Sequence, residues 1–192
     1  MTVESLRDLY LEQLQDLYNA EQQLIKALPK MAKAANSEEL KAAFEEHLEV
    51  TRGQAERIES ICEKMGEKAT GKKCKAMEGL VKEGSEVIEE DMSDELKDAA
   101  LIAAAQRVEH YEIAGYGCVR AYANKLGDEE AANLLGQTLD EEKEADETLN
   151  GIAEQLNLDA GSETADETED VDADEKQPVK RSTKASNRKS AA

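Results

Sequence analysis

Apolar residues recur every three or four positions along four long stretches of the chain, each bounded by residues that start or stop helices. The first stretch runs from about Val3 to Ala35 through Leu6, Leu14, Leu17, Leu24 and Leu28, and Pro29 is expected to kink its last turns. The second opens at Ser37, a capping residue, and passes Leu40, Phe44, Leu48, Ile58 and Ile61 to about Met65. The third starts after Ser93, carries Leu101, Ile102, Ala105, Val108, Ile113 and Val119, and stops at Gly127. Asp128 caps the fourth, which passes Leu135, Leu139, Leu149 and Ile152 and is expected to fray near Asn157.

The outer connections are tight, so the helices pair as two antiparallel hairpins. The middle connection, Gly66 to Met92, is long: a basic, glycine-containing loop and then a short amphipathic stretch, "AMEGLVKEGSEVIEE". These features predict an all-α, antiparallel four-helix bundle over residues 1–158, two hairpins joined by a long crossover that holds a short extra helix. From Asp159 the chain has no aromatic residue and almost no large aliphatic one, and it turns from acidic to basic after Glu175. Such a segment buries too little to offset its ordering entropy, so residues 159–192 are expected to form a disordered, solvated tail.

The two hairpins repeat one another weakly. Laying Glu21 on Glu112 also lays Ser37 on Asp128, Phe44 on Leu135, Leu48 on Leu139, Ile58 on Leu149 and Ile61 on Ile152. Helix starts and apolar stripes stay in phase, which implies pseudo-two-fold symmetry with equivalent residues facing one another at the centre.

Acidic side chains interrupt the stripes at that centre. Glu21 lies on the first stripe, Glu109 and Glu112 on the third, and Glu142 and Asp146 on the fourth, while the second offers His47, Thr51 and Gln54. At about 1.5 Å rise per residue, Glu21, Gln54, Glu112 and Glu142 fall at similar heights in an up-down bundle. One inward Glu commonly reaches water along its own stem. Five carboxylates on three helices are different, because buried without partners each would cost several kcal/mol when ionised. They coexist if cations neutralise them or if they stay protonated, and a carboxylate-held metal pair is the natural resolution.

Composition narrows the function. With 24 Lys and Arg against 44 Asp and Glu, the net charge is −20, which repels nucleic acid and attracts cations. No apolar run is long enough to span a membrane, and the N-terminal residues lack the layout of a signal peptide. Cys62, Cys74 and Cys118 are odd in number and irregularly spaced, matching neither a disulfide framework nor a zinc site, so a reducing cytoplasm is expected.

The stretches "DLYNAEQQL", "HLEVTRGQAERI", "CKAMEGL", "DAALIAAAQRVEHYEIAGYG" and "TLDEEKEADETL" resemble the YciE/YciF family of ferritin-like proteins over roughly Val3 to Leu156. The resemblance implies a ferritin-like bundle, a carboxylate-rich site for two iron ions, a role in bacterial stress and a homodimer rather than a storage cage. It also implies ferroxidase or peroxide-consuming chemistry, with dioxygen or peroxide as the oxidant.

Ferritin-like sites commonly carry Glu-x-x-His on the second and fourth helices. Here the second has Thr51 and Gln54 and the fourth has Glu142 and Ala145, so Asp146 is the candidate for the missing ligand. His47 is either the one imidazole ligand or a histidine hydrogen-bonded in the core. His110 points about 100° away from Glu109 and is not expected to ligate. This poverty of nitrogen favours iron or manganese over zinc. The candidate metal residues are therefore Glu21, Glu109, Glu112, Glu142 and Asp146, with Gln54 or His47 filling or lining the site. Tyr18 and Tyr116 either relay electrons or fill the bundle with their hydroxyls on carboxylates. A non-enzymatic alternative stands beside the redox one: a stress-associated helical dimer that binds a partner and holds these carboxyls protonated or hydrated.

Overall fold

The computed structural model describes the backbone of residues 3–166 and side chains from 3 to 156. Five helices account for nearly all of it, with no strand among the described residues: α1 (Leu6–Ala34), α2 (Glu38–Lys64), α3 (Lys75–Glu89), α4 (Asp94–Leu126) and α5 (Glu129–Asp166). None is long and apolar enough to cross a membrane.

Local chemistry fixes the ends. Ser5 Oγ accepts from Asp8 N at 3.1 Å and Asp8 reaches back to Ser5 N at 2.9 Å, a capping box that opens α1. Ser37 and Ser93 cap α2 and α4 through Leu40 N and Leu96 N. Asp128 does the same for α5, accepting from Ala131 N at 3.0 Å. Gly127 ends α4 at φ 79, a left-handed conformation that a side chain would strain. Ser37 and Asp128, matched by the internal repeat, thus perform the same task.

α1 runs as helix through Pro29 to Ala34, within one residue of its expected end. The chain does not leave the helix near Asn157, for α5 continues to Asp166, past the expected domain boundary. The remainder of the expected tail, residues 167–192, lies outside the described residues.

The four long helices are antiparallel to each neighbour. Arg7 on α1 bonds Met65 O just beyond α2, and Tyr18 bonds Glu59. On the other side, Asn36 N just after α1 bonds Asp98 near the start of α4, while Leu17 lies against Gly115 farther along. A Cβ at Gly115 would meet Leu17 Cδ2 at 2.7 Å, so glycine lets α4 come this close to α1. Arg57 meets Glu141, and Lys64 meets Glu130, which runs α5 against α2. The short α3, in the crossover, packs on α1 and α4.

Two apolar cores occupy the two halves of the bundle. One gathers Tyr10, Leu14, Ile58, Val119 and Leu135, and the other Leu24, Phe44, Leu101, Ile102 and Leu149. Apart from Asp98 near the start of α4, and Thr138 at the edge of the first core, the buried polar residues fall between these two sets: Glu21 on α1, Thr51 and Gln54 on α2, Glu109 and Glu112 on α4, Glu142 on α5. The fold therefore sandwiches one polar layer between two oily ones.

Candidate metal centre

Each helix delivers its polar residue inward because the same turn carries core side chains above and below it. Glu112 lies between Val108 and Tyr116, both buried, so α4 cannot rotate it outward without exposing them. Glu142 is held in the same way between Leu135 and Leu149 on α5.

The structure brings His47, Glu109, Glu112 and Glu142 together, each offering one ligand atom within 4.8 Å of the others. His47 Nε2 lies 3.6 Å from Glu109 Oε1 and 3.7 Å from Glu142 Oε2. Glu21 adjoins this set, its carboxyl beside Glu112 and accepting a hydrogen bond from the Tyr116 hydroxyl. Gln54 is wholly buried, and its Nε2 donates to Glu141 Oε2 at 3.3 Å. Asp146 lies outside that set of four but close enough that, after burial, its charge helps raise Glu109. Its buried Oδ1 has no hydrogen-bond partner among the described residues and lies 3.4 Å from His110 Nε2, while Oδ2 accepts from Asn150 at 3.3 Å. The four-residue step from Glu142 to Asp146 advances the helix by about 40° beyond a full turn, enough to swing Asp146 to the seam with α4.

Burial governs the electrostatics of this layer. It pushes the Glu109 carboxyl up to about 8. Burial, then the charge of Glu142, holds Glu21 well above the usual carboxylate range, with Tyr116 pulling the other way. Glu112 is raised by burial and by its neighbours Glu21 and Glu142, and Glu142 by burial and Glu109. Burial lowers His47 to about 4, so its imidazole is neutral near pH 7 and has a lone pair to offer.

These groups lack internal partners. Both oxygens of Glu112, both of Glu142, Glu21 Oε2, Glu109 Oε2, Gln54 Oε1 and His47 Nε2 are buried and receive or make no hydrogen bond among the described residues. Buried polar atoms are almost always satisfied, so this concentration of lone pairs fits a cation. Three carboxylates and one imidazole form a hard, oxygen-rich donor set of the kind that suits iron or manganese.

Sequence reasoning did not single out the pair that borders this layer. Arg57 on α2 grips Glu141 with two nitrogens, at 2.5 and 2.8 Å, and also reaches Thr138 at 3.0 Å. Burial alone would raise the Glu141 carboxyl, but the Arg57 bonds overcome that and hold it below the usual range. Glu141 is thereby committed to Arg57 and Gln54, while its neighbour Glu142 turns to the centre. Spacing offered one clue: Arg57 is three residues after Gln54, on the same face of α2. Asp98 is a second surprise, buried and accepting from Asn36 N and Ser37 N at 2.8 and 2.7 Å. It pins the α1–α2 turn to α4. Of the tyrosines, Tyr116 rests on Glu21, whereas Tyr18 turns away to Glu59.

A cleft of about 300 Å³ opens between α2 and α5, with Phe44, Val50 and Leu149 in its walls and His47 and Glu109 among its lining.

Comparison with known proteins adds a family context. The model of a domain of unknown function, DUF892, matches residues 5–160. The protein YciF of Escherichia coli strain K12 is 49% identical over 154 residues, which are 80% of this chain and 93% of that protein. The crystal structure of YciF, described as a stress protein, superposes with a TM-score of 0.79 at 47% identity, covering 81% of this chain and 99% of that one. The structure of YcfI from Rhodopseudomonas palustris matches at 43% identity with a TM-score of 0.75, over 77% of this chain and 94% of that one. A two-domain protein of Anabaena variabilis that contains a ferritin-like domain matches at 17% identity with a TM-score of 0.53, over 95% of this chain and 42% of that one. At that identity the likeness speaks for the fold alone.

Proposed function

The chain belongs to the DUF892 family, with YciF among its relatives, and on that premise we propose that it is a di-iron protein that oxidises iron(II) or consumes peroxide. The observation that carries the reading is the set of buried oxygen and nitrogen lone pairs without partners at the middle of the bundle. His47, Glu109, Glu112 and Glu142 would hold metal, with Glu21 and Gln54 beside them and Asp146 at the outer edge. Bound iron(II) supplies electrons, two of which reduce one peroxide with two protons to two waters.

The chain's own residues do the rest. Carboxyls that hold protons in the metal-free protein release them as the cation binds, so loading becomes stronger as pH rises. Tyr116 fixes the orientation of Glu21 through its hydroxyl, and Arg57 keeps Glu141 in place. The two apolar cores on either side keep bulk water from the layer. On the same reading the protein works in the cytoplasm under stress, as a homodimer built through helical faces.

One observation favours a second, non-enzymatic role. The position on α2 that the repeat matches to Glu142 is Thr51, whose hydroxyl bonds His47 O at 2.8 Å, so one half of the site lacks its carboxylate. A metal-free structural dimer would retain its function in Glu112→Gln. The test is peroxide consumption by protein loaded anaerobically with iron(II). Di-iron chemistry predicts turnover faster than the same concentration of free iron(II), and loss of that excess in Glu112→Gln. Equal rates with and without protein would discard the enzymatic reading.

A further inference from the structure

We propose that the cleft between α2 and α5 is the port through which dications reach the centre, with His47 and Glu109 as the first ligands they meet. The inference rests on the metal reading above and adds a route and a selectivity to it.

Among the described residues, His47 is the member of the four-residue cluster with the most side-chain surface open to solvent. Glu112 and Glu142 have no exposed side-chain surface and Glu109 4%, whereas 11% of the His47 side chain is accessible. On α1 and α4, Leu17 and Tyr116 are buried next to the layer. The cleft is lined by both His47 and Glu109. Glu109 is itself almost wholly buried, and its Oε2 has no hydrogen-bond partner among the described residues. An unpaired carboxylate oxygen at the inner end of an open cleft is where an incoming cation would first lose water.

Size and charge agree with a hydrated ion. At about 30 Å³ per water, a dication with six waters needs on the order of 200 Å³. The cleft offers about 300 Å³, room for the ion with its shell. Glu46 and Glu144 add two carboxylates to its lining, and Phe44, Val50 and Leu149 supply apolar walls that bind no ion on the way. A cleft lined by one sign of charge between low-dielectric walls raises the local concentration of the opposite ion. Anionic metal chelates would be repelled by the same carboxylates. Glu141 also lines the cleft but adds no net charge, because the Arg57 guanidinium neutralises it.

The experiment is stopped-flow uptake of cobalt(II) by the metal-free full chain, read by the visible absorption of the bound ion. Val50→Trp narrows the cleft without touching a ligand. Glu46→Gln combined with Glu144→Gln removes two exposed charges, and Glu83→Gln with Glu89→Gln on α3 makes the same charge change elsewhere. Val50→Trp should slow uptake by about tenfold or more with the final spectrum and stoichiometry unchanged. The Glu46/Glu144 variant should slow it about threefold and flatten its salt dependence, while the α3 variant follows the wild type. Wild-type rates in either cleft variant would overturn the port and leave the metal centre standing. Failure of the wild type to bind cobalt(II) at all would remove the metal reading and the port together.

Discussion

His47 and Glu109 meet across the bundle, Nε2 of the one 3.6 Å from Oε1 of the other, although they lie on α2 and α4. The two atoms are not an ion pair near neutral pH. Burial lowers His47 to about 4 and raises Glu109 to about 8, so both groups are uncharged in the metal-free protein. A neutral imidazole beside a protonated carboxyl is a site poised to exchange a proton for a metal ion.

Replacing His47 with Ala removes the one nitrogen ligand of the set. Affinity for manganese(II) or cobalt(II) should fall by about ten- to a hundredfold, as measured by calorimetry, with the helical signal unchanged.

The metal-free protein should lose stability as pH rises. Glu109 binds a proton more tightly when folded, at about 8 against 4.5 for a free Glu side chain, and Glu21, Glu112 and Glu142 shift in the same direction. Between those values the folded state holds more protons than the unfolded one, so unfolding free energy decreases with pH. The contribution is intact below about pH 4.5 and fades as pH climbs toward 8. Urea melts from pH 5 to 8 should show the decline, and manganese(II) should flatten it.

Glu112→Gln separates stability from binding. The amide keeps the shape and carries no charge, so the metal-free variant should melt at a higher temperature than wild type at pH 8, where the wild-type layer begins to ionise. Its metal affinity should drop at the same time. A rise in one with a fall in the other is the signature of a charge retained for a ligand rather than for the fold.

Tyr116→Phe tests the contact between Tyr116 and Glu21. It leaves a fully buried carboxyl without its donor, which should destabilise the metal-free protein by about 1–3 kcal/mol in urea titration. Arg57→Ala should act at the other edge of the layer, by freeing a Glu141 carboxylate that is only about a quarter exposed. It should lower stability by about 1–3 kcal/mol above pH 5 and lose its effect in acid, because Glu141 is held below its usual range.

Helix starts and the inward carboxylates were legible in the chain because both are local. A cap needs only its own turn, and Glu112 announces itself by sharing a stripe with Val108 and Tyr116. Pairing was legible too, from the short turn at Ser37 and the left-handed Gly127. What stayed hidden depends on contacts between distant residues. Nothing in the sequence marks Arg57, since its partner Glu141 is far along the chain. Asp98 gave no sign that it caps the α1–α2 turn from another helix. Spacing placed Asp146 one turn beyond Glu142, but could not show that its Oδ1 also comes within 3.4 Å of His110. α1 runs on through Pro29 because a proline removes only one backbone bond, while Leu28, Met31 and Ala32 keep packing on either side of it.

Anaerobic titration of the metal-free protein with iron(II), followed by calorimetry at pH 7 beside Glu112→Gln, tests the centre most directly. Saturable uptake of two iron(II) per chain, accompanied by proton release and weakened in the variant, is the predicted result. Binding no greater than that of exposed surface carboxylates, identical in both proteins, would contradict it.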